Sequence, residues 1–196
     1  DEEFLSKISS KYKYFLVDEY QDTNDLQNAI LFALLSVKDN PNVFVVGDDD
    51  QIIYGFQGAN SENIENFLKK YPDTEVICLT ENNRSTQTIL DMSYQLLIQD
   101  KTRLEANPIF KKYMITKFLT AKNPEIIAKE KKVRRWQFGE LTQEYNYIVE
   151  DIVNLVKQHP EMKLSQIAII SKKKKELRMF SEMLKAHNIQ TQLSEG

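Results

Sequence analysis

Short apolar runs ending in acids or glycine alternate along this chain with stretches whose apolar residues recur every three or four positions. Residues 14–18 (Tyr14-Phe15-Leu16-Val17-Asp18) and 43–47 (Val43-Phe44-Val45-Val46-Gly47) are the first two runs. Continuous runs of this kind suit strands buried on both faces of a parallel sheet. Between them, Leu26, Ile30, Leu31, Leu34 and Leu35 fall at helical spacing, with capping candidates at Thr23 to Asp25 and a stop at Asn40-Pro41. A shorter helix is expected through Ile64, Phe67 and Leu68, ending near Pro72, followed by a third strand over Val76 to Leu79. Strand, helix and strand in that order read as part of a doubly wound α/β sheet.

The pattern then weakens and returns. Another helix is predicted from near Ser85, carrying Ile89, Met92 and Leu96. Residues 100–130 are lysine-rich with weak periodicity and predict no element. Beyond them, Val133 to Phe138 reads as a strand, and Tyr145, Ile148, Val149, Ile152, Val153 and Val156 form an amphipathic stripe. Ile167 to Ile170 reads as a buried strand, and Leu177, Phe180 and Leu184 mark a further helix. The reading divides the chain into a first α/β unit over residues 1–80 and a second over 81–196.

Composition narrows the classes. With 41% hydrophobic and 28% charged residues, the 196-residue chain is ordinary globular protein. It holds no apolar run of bilayer length, and Asp1-Glu2-Glu3-Phe4 lacks a signal pattern, so a cytoplasmic protein without a membrane partner is expected. The one cysteine, Cys78, excludes an internal disulfide and, with only two histidines, leaves too few soft ligands for structural zinc. A net charge of −3 makes any nucleic-acid contact local rather than global. Acids gather at positions 18–25 and 48–50, and lysines between Lys111 and Lys132 and from Lys172 to Lys175.

Three constellations carry candidate chemistry. Phe15-Leu16-Val17-Asp18-Glu19-Tyr20-Gln21-Asp22 puts two carboxylates at the carboxyl edge of a parallel strand, where α/β proteins bind ligands. Hard oxygens there suit magnesium, and a neighbouring carboxylate can orient or deprotonate water; the competing reading is a solvated turn. Gly47-Asp48-Asp49-Asp50-Gln51 places three adjacent aspartates that repel unless cations or donors neutralise them. The loop that follows carries Tyr54 and Phe56 among glycines, which suits stacking on unpaired bases, with core packing as the alternative. Leu79-Thr80-Glu81-Asn82-Asn83-Arg84-Ser85 lies at the expected break between units, where Arg84 could reach an anion held between domains or form a surface ion pair.

In this order the three resemble the superfamily 1 DNA helicases of the UvrD, PcrA and Rep type. Asp18 to Asn24 resembles their Walker B motif, Gly47 to Ala59 motif III, and Leu79 to Ser85 motif IV. Weaker likeness continues in Glu144 to Val156 and from Ser165 to Ile189. The resemblance implies parts of two RecA-like P-loop NTPase motor domains with parallel sheets, using ATP and Mg²⁺ to move on single-stranded DNA and unwind duplex. It suggests 3′ to 5′ movement, with a role in DNA repair or recombination. By the same resemblance, Asp18 holds the metal, Glu19 activates water, Gln51 senses the γ-phosphate, Arg84 acts as an arginine finger, and Tyr54 and Phe56 stack on DNA.

The chain departs from the family at several positions. Phe56 stands where Trp is usual, Gln57 where an Arg contacts DNA, and Asn83 where a Tyr stacks on adenine. A Gly-x-x-x-x-Gly-Lys-[Ser/Thr] loop and the later motifs of the second motor domain are absent from the sequence. The chain is therefore expected to be a piece of a longer helicase, inactive alone, whose partners include the remaining helicase domains. Two other classes stay open: a non-catalytic single-strand-binding or partner-docking module with a helicase-like fold, and a magnesium-dependent phosphoacceptor domain.

Overall fold

Helices and very short parallel strands alternate in the computed structural model, which describes residues 2–38, 40–52, 61–101, 103–129 and 132–194. The chain forms two compact units, Asp1–Val133 and Arg134–Gly196.

In the first unit, α1 (Glu2–Ser9) precedes β1 (Phe15–Val17), α2 (Asp25–Ser36) and β2 (Val43–Val45). The buried Ser9 hydroxyl donates to Leu34 O at 2.9 Å, fastening α1 to α2. Asn24 caps α2 reciprocally with Gln27: each side chain accepts the other's backbone N–H, at 2.9 and 3.0 Å. β1 and β2 pair in parallel, with Phe15 opposite Val43 and Val17 opposite Val45. Val17, Val43 and Val45 pack into a core built on Tyr20, Phe67, Leu68, Leu104 and Phe110. The expected burial on both faces does not hold among the described residues. Side chains alternate across a strand, and Leu16, on the other face, is 76% exposed.

α3 (Ser61–Lys70) delivers Phe67 and Leu68 to that core, where Phe67 meets the Tyr20 ring edge-on at 5.6 Å. The third ladder falls later than predicted. Residues 76–79 form no strand among the described residues, and β3 is Glu81–Asn82, paired in parallel with β4 (Thr120–Ala121). α4 (Gln87–Leu97) follows, and its Gln87 amide bonds Leu119 O and Ala121 N–H at 3.1 and 2.9 Å. The segment 100–130, for which the sequence predicts no element, contains a 3₁₀ turn at Pro108–Tyr113, β4 and a single helical turn, α5 (Pro124–Ile127). Its Leu104 and Phe110 are core residues.

The second unit is a helix pair. The predicted stripe on α6 (Leu141–Gln158) packs Val149 and Ile152 against Phe180 and Leu184 of α7 (Lys174–Ala186), with Tyr145 edge-on to Phe180 at 5.0 Å. The strands expected at 133–138 and 167–170 do not form among the described residues. Ile167 and Ile169 pack against the helix pair instead, so their apolar character serves packing without a ladder. Trp136 is exposed and leans on Tyr147 of α6, 5.0 Å away. Lys172 to Lys175 run exposed into the start of α7.

Candidate functional site

Asp18 and Glu19 emerge, exposed, at the carboxyl end of β1. The chain turns at once into a 3₁₀ turn, Tyr20–Asp22, and Glu19 makes the turn in the left-handed region, with φ 48° and ψ 46°. That conformation costs a non-glycine residue about 1–2 kcal/mol, so its surroundings must hold it. Asp18 Oδ1 accepts the Glu19 N–H at 3.0 Å, and the Tyr20 N–H donates to Val46 O at 2.8 Å. Tyr20 itself is buried, and its hydroxyl donates to Asn28 Oδ1 at 2.5 Å. Asn28 passes the chain to Asn63, whose amide donates to Thr23 O at 2.9 Å, closing a buried polar path back to the turn. Burial, with Tyr71 nearby, pushes the Tyr20 phenol up to about 12, so it stays a neutral donor.

Gln21 joins this turn to the acid turn after β2. Its side chain is buried; Nε2 donates to Glu19 Oε2 at 2.7 Å and Oε1 accepts the Asp48 N–H at 3.0 Å. Asp48 caps the 3₁₀ turn Asp49–Gln51 by accepting the Asp50 N–H at 3.2 Å, and its Oδ2 accepts from Gln51 Nε2 at 2.7 Å. The structure thus brings Glu19 and Gln51 into one chain of hydrogen bonds through Gln21 and Asp48.

The mutual repulsion of Asp48, Asp49 and Asp50 is answered from the segment 100–117. Arg103 forks onto Asp50 with bonds of 2.6 and 2.7 Å and also reaches Glu105 at 3.2 Å. Lys117 pairs with Asp48, and its Nζ lies 2.5 Å from Asp49 Oδ1, a buried oxygen otherwise without an aligned donor. Asp49 Oδ2 accepts the Leu104 N–H at 2.8 Å. Burial by itself would raise Asp48, but the Lys117 and Gln51 bonds outweigh it and hold the carboxyl below its ordinary value. Burial by itself would lower Lys117, yet Asp49 and Asp48 hold the ammonium above its ordinary value. The Asp50 hydrogen bonds raise Arg103 in the same way. Sequence reasoning missed both cations because they lie 53 and 69 residues from their partners, in the stretch with the weakest periodicity.

Arg84 belongs to the first unit and is exposed, with no ion pair among the described residues. Asn82 Oδ1 accepts the backbone N–H of Arg84 and Ser85 at 3.0 and 2.8 Å, shaping the turn into α4. Glu81, its nearest acid in sequence, faces Lys122 at 3.7 Å. Tyr54, Phe56 and Gln57 lie outside the described residues.

The donors present fit a magnesium–nucleotide. Among the described residues no cluster of three or more His, Cys, Asp or Glu could cage a metal. Magnesium in nucleotide sites uses one or two carboxylates and completes its shell with phosphates and water, which Asp18 and Glu19 can supply. Asp22 Oδ1 is buried without a hydrogen-bond partner among the described residues, and Asp18, Glu19 and Asp22 border an open groove of about 470 Å³ against α2.

Parallel strand pairs linked by helices, the first pair running into acids at its carboxyl ends, make this an α/β protein. The chain belongs to the UvrD-like helicase family: residues 1–72 match the UvrD/REP helicase N-terminal domain, and residues 77–196 the UvrD-like helicase C-terminal domain. It is similar to the ATP-dependent DNA helicase PcrA of Leuconostoc citreum, 44% identical over 100 residues, which cover 51% of this chain and 13% of that protein. DNA helicase II of Escherichia coli is 43% identical over 100 residues, covering 51% of this chain and 14% of that protein. PcrA of Staphylococcus aureus is 43% identical over 101 residues, covering 52% and 14%. Each match thus takes in about half of this chain and about a seventh of the relative's length.

Proposed function

We propose that this chain is part of an ATP-dependent DNA helicase that moves 3′ to 5′ on single-stranded DNA and serves DNA repair or recombination in the cytoplasm. One observation carries the reading. Glu19 is kept in a strained backbone conformation at a strand end, beside Asp18, with its carboxylate tied through Gln21 to the turn that bears Gln51. Strain held by surrounding bonds is a mark of functional sites rather than of wet turns. Membership of the UvrD-like family supports the same conclusion.

In this reading Asp18 binds magnesium, which when present neutralises charge on the phosphate oxygens of ATP. Glu19 takes the proton of the attacking water. Gln51 meets the γ-phosphate, exchanging its bond to Asp48 for one to the nucleotide. Arg84, exposed and unpaired with acids among the described residues, supplies a guanidinium to the same phosphate. Tyr54 and Phe56 stack on DNA bases beside Gln57, and the remaining helicase domains furnish the phosphate-binding loop. The 196-residue chain by itself hydrolyses no ATP.

The test is Glu19→Gln in the full-length protein, with DNA-stimulated hydrolysis and ATP binding measured together. Turnover should fall by about 10²–10⁴, the size of a general-base contribution, while ATP and magnesium still bind. Equal losses of affinity and turnover would make Glu19 a metal ligand or a structural residue. Normal turnover would favour a non-catalytic module.

A further inference from the structure

Gln21 makes a pair of bonds that the roles above leave unused. The residue is 2% exposed, and its one amide is divided between two motifs, Nε2 on Glu19 Oε2 at 2.7 Å and Oε1 on the Asp48 N–H at 3.0 Å. Among the described residues no other side chain donates to the Glu19 carboxylate, and that carboxylate is otherwise exposed. An exposed glutamate has several accessible side-chain rotamers, so a buried donor selects the one used. The other end of the amide is fixed by Asp48, which also holds Gln51 at 2.7 Å and pairs with Lys117.

Gly47 gives independent support. A Cβ there would lie 2.9 Å from Gln21 Oε1, closer than real contacts allow, and 3.2 Å from Gln21 N, tighter than most. The backbone before the acid turn is thus bare where the Gln21 amide crosses it.

We propose that Gln21 is a positioning residue for Glu19, which sets the carboxylate according to where the Asp48–Gln51 turn stands. If Gln51 leaves Asp48 for the γ-phosphate, the Asp48 backbone shifts with its side chain, and Gln21 carries that shift to the base. The inference rests on the reading of Glu19 as the base. It adds a physical link by which phosphate sensing and water activation act together.

The experiment uses the full-length protein with saturating single-stranded oligonucleotide. Gln21→Met keeps length and burial but has no amide. Its kcat should fall roughly 10- to 100-fold, the worth of one hydrogen bond to a charged group, with KM for ATP changed less than about threefold, because the bond acts on the base and not on nucleotide binding. In a Glu19→Gln background, single-turnover hydrolysis should show no further loss from Gln21→Met, since residues acting as a unit are non-additive. Gly47→Ala, which displaces the amide without removing it, should reproduce the kcat loss and likewise add nothing to Gln21→Met. This second variant decides the matter if Gln21→Met does not fold. Normal kcat in both variants, or losses that persist undiminished without Glu19, would overturn the positioning role. Normal turnover by Glu19→Gln itself would instead overturn the base assignment and take this proposal with it.

Discussion

Replacing Arg103 with Met removes the cation that neutralises Asp50 while keeping an unbranched stem of similar length. In the protein the guanidinium gives Asp50 two bonds, of 2.6 and 2.7 Å, touches Glu105 at 3.2 Å and lies 5.5 Å from the Tyr94 ring centre. The Arg103 and Asp50 side chains are 5% and 11% exposed. Deleting one partner of so buried a pair strands the other charge, at about 3–5 kcal/mol. Asp50 keeps a little solvent, which limits the loss, so about 3 kcal/mol is expected. Lys122–Glu81 is the internal contrast: 3.7 Å apart with side chains 51% and 69% exposed, so Lys122→Met should cost under about 1 kcal/mol. Urea unfolding of the 196-residue chain, followed by far-ultraviolet circular dichroism, measures both. The double variant Arg103→Met/Asp50→Asn should recover part of the loss, with a coupling of about 2 kcal/mol. An Arg103→Met protein within about 0.5 kcal/mol of the parent, or no worse than Lys122→Met, would refute the claim that this pair holds the acid turn.

The pH dependence of stability should show two limbs from the same cluster. Asp48 sits below its ordinary value in the fold, so its contribution is whole above pH 3.8 and is lost as pH falls through the lower folded value. Lys117 sits above its ordinary value, so its contribution is whole below pH 10.5 and is lost as pH rises through the higher folded value. Unfolding monitored across pH should therefore plateau between these limits, and Lys117→Met should lower the plateau and remove the alkaline limb; an unchanged profile would count against the pairing. For Arg84, Arg84→Ala in the full-length protein should cut kcat by about 10³–10⁵ with melting temperature and nucleotide-free DNA affinity intact, and Arg84→Lys should rescue little. Near-normal turnover in Arg84→Ala would leave it a solvated surface residue.

What was legible in the sequence was local. The apolar runs around Leu16 and Phe44 form the paired strands β1 and β2, Asn24 caps α2, and the stripe from Tyr145 to Val156 is the buried face of α6. Each depends on neighbours within a few residues, so spacing alone reports it. Where a backbone partner from elsewhere was needed, the reading slipped. Val76 to Leu79 and Ile167 to Ile170 have strand-like composition, but the described residues offer them no ladder, while the polar pair Glu81–Asn82 has one because Thr120–Ala121 lies alongside. α1 is hard to read from spacing because its eight residues give only Phe4, Leu5 and Ile8 as a stripe.

The candidate site divides along the same line. Its acids could be read because a strand runs straight into them, and three adjacent aspartates announce that something must neutralise them. The neutralising residues could not be read. Arg103 and Lys117 sit in a lysine-rich stretch, and the packing of Leu104 and Phe110 into the core beside Tyr20 helps to fix them against the acid turn. Gln21 was legible as part of a motif and not as a link, because its two bonds require both the left-handed turn at Glu19 and the bare backbone at Gly47. A repulsive cluster at a strand end therefore tells more than its own sequence position. It implies distant cations whose loss should damage both the fold and the geometry of the base, and Asp48, bonded at once to Gln21, Gln51 and Lys117, is where those two effects meet.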